Sequence, residues 1–163
     1  MKKLAVILAS LMVVACASTQ KTNTSQANEN NATASAAAAK VDLGKLNAEI
    51  QQMEKQSDYF DFNKYTVKSE YMNVIQKEAE FLKTHKNDVV TLQGNADERG
   101  SEKYNLGLGE NRADAVAKVL EKDGVPADQI KMVSLGKDKP RLTCHKEKCW
   151  KENRRVDFLH NLG

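Results

Sequence analysis

The segment GNADERGSEKYNLGLGENRADAV, residues 94–116, places one acid, Asp97, and one base, Arg112, in a short strand, loop and helix unit. A carboxylate and a guanidinium held apart by such a unit would grip a small zwitterion from both ends. Asp97 would take the ammonium. Arg112, a planar fork of donors, would take the carboxylate in two places. The competing reading is that the two pair with each other as a structural salt bridge. Glu98 adjoins Asp97, but neighbouring side chains on a strand point to opposite faces, which suits them poorly to act as a general acid and base pair. No nucleophile with a local base partner and no phosphate loop is present, so the chemistry is read as binding without catalysis and without a cofactor.

The elements that must position this pair follow from residue patterning. Val89, Val90, Thr91 and Leu92 read as a strand, loosened toward a loop by Gly94 and Asn95. Gly100 permits the turn that follows. Leu106, Gly109, Ala113, Val116, Ala117 and Leu120 recur at helical spacing until Gly124 and Pro126 stop them. Asn105 stands near the start of that helix, where it can act as its N-cap. Asp61 and Asn63 can shape a turn. The full set of expected elements is a strand at 57–62, helix 68–85, strand 89–96, helix 105–123, and strands at 130–135 and 154–160. Met72, Ile75, Ala79 and Leu82 form the inward face of the first helix. This βαβαββ order is an α/β sandwich, with helices packed on one face of a mixed four-stranded sheet.

The N-terminal end has a different composition. Lys2 and Lys3 precede the apolar run LAVILASLMVVA and then Cys16, the pattern of a signal peptide at 1–15. Val13, Val14, Ala15 and Cys16 resemble a bacterial lipobox, so Cys16 is expected to be lipidated and to hold the protein on a membrane, each buried acyl CH₂ contributing about 0.8 kcal/mol. Ala17 rather than Asp follows, which resembles an outer-membrane signal. An ordinary secretory signal with a free Cys16 is the alternative. Residues 16–40 are polar or small and read as a disordered tether, able to stretch to roughly 80 Å. Leu43, Leu46, Ile50 and Met53 make 41–56 an amphipathic lead-in helix, and 57–163 is the folded domain.

Loss of Lys2 and Lys3 with the signal lowers the formal charge from +3 to about +1. The remaining Lys and Arg are interleaved with Asp and Glu, and aromatics are sparse, so no nucleic-acid footprint is present. Cys144 and Cys149 are read as a disulfide in an oxidising compartment. The alternative is a metal site from these two with His145 and His160, which lacks a second ligand pair. No metal is expected.

The segment at 94–116 also resembles the signature of OmpA-like C-terminal domains. ADERG, with the YN pair at 104–105 and the RA pair at 112–113, is most similar to that family's peptidoglycan-associated lipoprotein branch. FDFNKY at 60–65, GVPADQI at 124–130 and ENRRVDF at 152–158 follow the family's order from Tyr59 to the C-terminus. The resemblance implies non-covalent binding of diaminopimelate in a peptidoglycan stem peptide. By position, Asp97 would hold the ligand ammonium, Arg112 its carboxylate, and Asn105 a polar contact, while Asp61 and Asn63 line the other side and Arg154 or Arg155 reaches the rim. It further implies an outer-membrane lipoprotein whose domain faces the periplasm, with Tol proteins as partners, the TolB propeller among them, and a role in envelope integrity and cell division. Asn95 departs from the GH or GY of many members and should change the polarity of the pocket edge. On this reading Asp97→Ala and Arg112→Glu each abolish wall binding while leaving the circular dichroism near native.

Overall fold

The computed structural model describes residues 29–163. Residues Ala39–Gly163 form one compact unit, which holds the sheet and the site. Its elements are the C-terminal part of α1 (Glu29–Glu54), then β1 (Ser57–Tyr59), a 3-10 turn at Ser69–Tyr71 leading into α2 (Met72–Thr84), β2 (Asp88–Asn95), α3 (Glu102–Lys122), a 3-10 turn at Ala127–Gln129, β3 (Ile130–Gly136), α4 (Glu147–Asn153) and β4 (Arg155–Leu162). The strand order is β1-β4-β2-β3. β4 runs antiparallel to both of its neighbours, while β2 and β3 are parallel and joined through α3, as a crossover connection requires. The mixed four-stranded sheet is therefore the expected one.

Alternation along the strands sorts the two faces. Val90 and Leu92 of β2 and Val156 and Phe158 of β4 form one cluster with Ile75, Ala79 and Leu82 of α2 and with Ala113, Val116, Ala117 and Leu120 of α3. Both helices thus cover the same face. Burying such side chains contributes about 1.5–3 kcal/mol each relative to exposure. Gln129 locks the edge by donating to the carbonyls of Leu82, His85 and Asp88.

Several boundaries differ from the expected ones. α1 begins at Glu29, so 29–40, expected as tether, is helical, consistent with the high intrinsic propensity of its alanines. Residues 16–28 of that segment, the signal peptide and Cys16 lie outside the described residues. Ile50 and Met53 of α1 pack on Phe81 of α2, as expected of a lead-in helix docked on its own domain. β1 stops at Tyr59, because the chain then turns through Asn63, whose φ is 56°. α4 was not expected. Its seven residues are too few to show a helical period in the sequence.

A cluster of ionisable groups lies beneath α1 and α2. The His160 ring stands 3.1 Å from Glu78 through Nε2 and 2.5 Å from Asp88 through Nδ1, all three side chains being buried. Burial alone would depress the imidazole, but Glu78 and Asp88 outweigh it and lift the pKa to about 9. Asp58 is fully buried, with no hydrogen-bond partner among the described residues for either oxygen. Burial, then Glu78, pushes its carboxyl up to about 8. Both groups hold protons in the fold that the unfolded chain gives up at lower pH, Asp58 above about 4 and His160 above about 6.5. Their contribution to stability therefore falls as pH rises toward 8 and 9. Thermal melts between pH 6.5 and 8.5 should show Tm falling by roughly 10–20 °C, on the basis of about 1.4 kcal/mol per proton per pH unit and hence about 4 kcal/mol for the two groups together. Asp58→Asn should flatten that slope, and an unchanged slope would remove Asp58 from the account.

Candidate functional site

β2 and α3 approach unusually closely. A Cβ on Gly94 would stand 1.9 Å from the carbonyl oxygen of Gly109, and one on Gly109 would stand 2.3 Å from Ser134 Oγ. Two glycines therefore let the α3 backbone lie directly on the sheet, which brings the end of β2, with Asp97 just beyond it, beside the Arg112 turn of α3. Between them is a cavity of about 240 Å³, whose walls include Asp97, Arg112, Asn105, Asn63, Tyr104 and Phe62, with Arg99, Gly100 and Leu108 completing it.

Asp97 and Arg112 do not pair with each other. The Arg112 side chain is fully buried and donates to three backbone carbonyls: Nε to Lys64 at 2.9 Å, Nη1 to Asn95 at 2.7 Å and Nη2 to Asp61 at 3.2 Å. A guanidinium has five N–H donors, which leaves capacity for an anion in the cavity. Burial and then Arg154 lower its pKa to about 10, with Asp97 opposing, so it stays charged at neutral pH. Burial would raise the Asp97 carboxyl, but Arg99 and Arg154 hold it below the usual carboxylate range.

Asp97 is not idle either. Arg99 donates to both of its oxygens, Nε at 3.0 Å and Nη2 at 2.7 Å, and Arg154 Nη1 approaches at 3.3 Å. The Arg99 guanidinium is held between two rings, 3.9 Å from the centre of Phe62 and 4.0 Å from that of Trp150, a cation–π arrangement. Trp150 in turn donates to Glu98 at 2.8 Å, and Glu98 also contacts His145 at 2.7 Å. Cys144 and Cys149 are joined as a disulfide, their Cα atoms 5.6 Å apart, and so pin the segment that carries His145 and leads into Trp150. This bond removes the metal alternative, and His160 lies on β4 between Glu78 and Asp88.

The other expected residues divide. Asn63 and Asn105 line the cavity. Asn105 is not the N-cap: Ser101 caps α3 by accepting from the Tyr104 amide, while Asn105 Nδ2 ties down the Arg99 carbonyl at 3.0 Å. The Asp61 side chain is not part of the cavity wall; it is exposed and pairs with Lys68 at 3.0 Å, contributing only its backbone carbonyl to Arg112. Of the two neighbouring arginines, Arg154 reaches the site, binding Asp97 and Glu147, whereas Arg155 pairs with Asp157 one register step away, as strand alternation demands. Sequence reasoning missed Arg99, Tyr104 and Phe62. The signal for Arg99 was its place two residues after Asp97, where a turn lets side chain and carboxylate meet.

Comparison with known proteins fits this geometry. Residues 59–154 match the model of the OmpA family. The chain belongs to the OmpA family. It is 44% identical over 101 residues to a peptidoglycan-associated lipoprotein of Legionella pneumophila, covering 62% of this chain and 57% of that protein. It is 37% identical over 156 residues to a peptidoglycan-associated lipoprotein of Pseudomonas putida, covering 94% of this chain and 93% of the relative. The crystal structure of the peptidoglycan-associated lipoprotein from Burkholderia pseudomallei aligns with a TM-score of 0.64 at 44% identity, covering 65% of this chain and 90% of that one. This chain therefore spans little more than half of the Legionella relative but nearly all of the Pseudomonas one. The part shared with the OmpA family holds both Asp97 and Arg112 and runs from the last residue of β1 through β2, α3 and β3 to the residue before β4.

Proposed function

We propose that this protein anchors an outer membrane to the cell wall by binding the diaminopimelate end of a peptidoglycan stem peptide between Asp97 and Arg112. The observation that carries this reading is the cavity itself: a carboxylate and a guanidinium face one small space without pairing to each other. In that space the ligand ammonium meets Asp97, sharing it with Arg99, and the ligand carboxylate meets the free donors of Arg112. Asn63, Asn105 and the Tyr104 hydroxyl supply polar contacts, and Phe62 covers the methylene chain. A few charged hydrogen bonds, at about 1.5–3 kcal/mol each, must offset ordering a mobile peptide, so affinity per site is modest. Many copies facing one polymer raise the overall hold by avidity.

The names of the relatives support the wall ligand and a lipoprotein anchor. On the same footing, Cys16 carries the lipid, residues 16–28 belong to the tether, and Tol proteins, including the TolB propeller, are partners in envelope integrity and cell division. Binding rather than wall cleavage is favoured because both oxygens of Asp97 are engaged by arginine and Glu98 is tied to His145 and Trp150.

The test is an NMR titration of the chain with a diaminopimelate tripeptide. Saturable shifts are expected at the amides of Asp97, Arg99, Tyr104 and Asn105, with the peptide recovered unchanged. Absence of shifts at millimolar peptide would refute the reading, and a cleaved product would favour an enzyme.

A further inference from the structure

The carboxylate of Asp97 has its full complement of donors. An ionised carboxylate accepts about four hydrogen bonds, two at each oxygen. Oδ1 receives the Arg99 amide at 3.1 Å and Arg99 Nε at 3.0 Å, while Oδ2 receives Arg99 Nη2 at 2.7 Å and Arg154 Nη1 at 3.3 Å. Arg154 is fixed elsewhere, by the Phe60 carbonyl and by Glu147. The Arg99 backbone is fixed as well, since Asn105 Nδ2 holds its carbonyl. Of these donors, only the Arg99 guanidinium can leave without moving the backbone. It also has a second acceptor in reach: Nη2 stands 3.9 Å from Glu147, a carboxylate 61% exposed on α4.

What keeps the guanidinium in place comes largely from α4. Trp150 covers one of its faces and Phe62 the other. Trp150 is aimed by its Nε1 bond to Glu98 and by the helix that carries it. Seven residues are fewer than the roughly 12–15 that a helix needs to stand alone. Two ties supply the rest. The Asn153 side chain fastens the end of α4 by accepting from the Arg141 and Leu142 amides, and the Cys144–Cys149 bond fastens its first turn.

Resting on the stem-peptide reading, we propose that Arg99 is a latch: its guanidinium occupies the cation position on Asp97, an incoming ammonium displaces it toward Glu147, and the disulfide sets how firmly it is held, through Trp150. Ligand and Arg99 then share Asp97 because Nη2 gives up Oδ2 while the Arg99 amide stays on Oδ1. The site is thereby redox-sensitive. One thiolate of a dithiol reductant attacks the half-buried Cys144 sulfur, and Cys149 leaves as a thiolate that takes up a proton. The second thiol of the reductant resolves the mixed disulfide, so Cys144 also ends as a thiol and the dithiol is oxidised to its own disulfide. The first turn of α4 loosens, Trp150 no longer covers Arg99, and ligand binding tightens.

Calorimetric titration of the full chain with a diaminopimelate tripeptide, with and without a dithiol, tests the latch. Arg99→Met, which keeps a long side chain between the rings but removes its donors, should tighten binding by roughly five- to tenfold. Trp150→Leu and reduction of the unaltered chain should each tighten it by roughly two- to fivefold, the worth of one cation–π face. Cys144→Ser combined with Cys149→Ser should match the reduced chain. Neither reduction nor Trp150→Leu should change affinity further in Arg99→Met, a non-additivity that general loosening of the fold would not produce. By NMR, the Arg99 Nε–H signal should move on saturation with tripeptide. Weaker or unchanged binding by Arg99→Met, or an Nε–H signal that stays in place while the Asp97 amide shifts, would overturn the latch and leave the peptide site standing. Loss of binding on reduction, or an effect of reduction that persists in Arg99→Met, would remove the disulfide from the scheme. A tripeptide that binds neither the unaltered chain nor Arg99→Met would sink the stem-peptide reading, and the latch with it.

Discussion

Replacing Arg112 with Leu should lower stability by about 3–5 kcal/mol and abolish wall binding together, because the three carbonyl oxygens of Lys64, Asn95 and Asp61 lose their only shared donor. Denaturant melts report the first effect and co-sedimentation with purified sacculi the second. Arg112→Lys should also fail to bind. One ammonium cannot span three carbonyls and still offer two parallel N–H groups to a ligand. The structure corrects the expectation for Arg112→Glu: a carboxylate facing three carbonyl oxygens is repelled by all of them, so that variant should unfold rather than keep a native circular dichroism spectrum. Native stability in Arg112→Leu would mean that the guanidinium holds no part of the scaffold.

Asp97→Asn should lower affinity for a diaminopimelate peptide by roughly 10- to 100-fold, the worth of one or two charge-assisted hydrogen bonds. The fold should survive, with a smaller loss of stability than at Arg112. Asp97 does hold Arg99 and Arg154, but Arg154 keeps Glu147 and the Phe60 carbonyl, and Arg99 keeps its two aromatic faces. The two variants thus separate what a structural salt bridge would merge. If Asp97→Asn melted like Arg112→Leu yet still bound sacculi, Asp97 would be a scaffold residue and the ligand would lie elsewhere.

Much of the fold was legible because its signals are local. The β-branched run ending at Gly94 and the 3.6-residue recurrence from Leu106 to Leu120 are properties of neighbouring residues, and both elements formed where expected. The lead-in helix could be read from Leu46, Ile50 and Met53, although its N-terminal start at Glu29 could not, since alanines and polar residues carry no face. α4 was invisible for want of length, and with it the place of Trp150.

The candidate site was legible in part. Asp97 and Arg112 could be grouped because strand, turn and helix are consecutive, so short-range geometry brings them near, whereas Asn105 joined them only through the family resemblance. The pairing of Cys144 with Cys149 was readable for the same reason. What Arg112 donates to was not readable, since its partners at Lys64 and Asp61 lie 48 and 51 residues away. Neither was the clamp on Arg99, which needs Phe62 from one end of the domain and Trp150 from the other. Patterns along the chain therefore chose which residues carry opposite charge and which face of each element they occupy. Only the packed sheet decided that the two charges stay apart, because Gly94 against Gly109 sets how closely α3 approaches, and carbonyls and rings from distant segments occupy the donors that would otherwise have joined them.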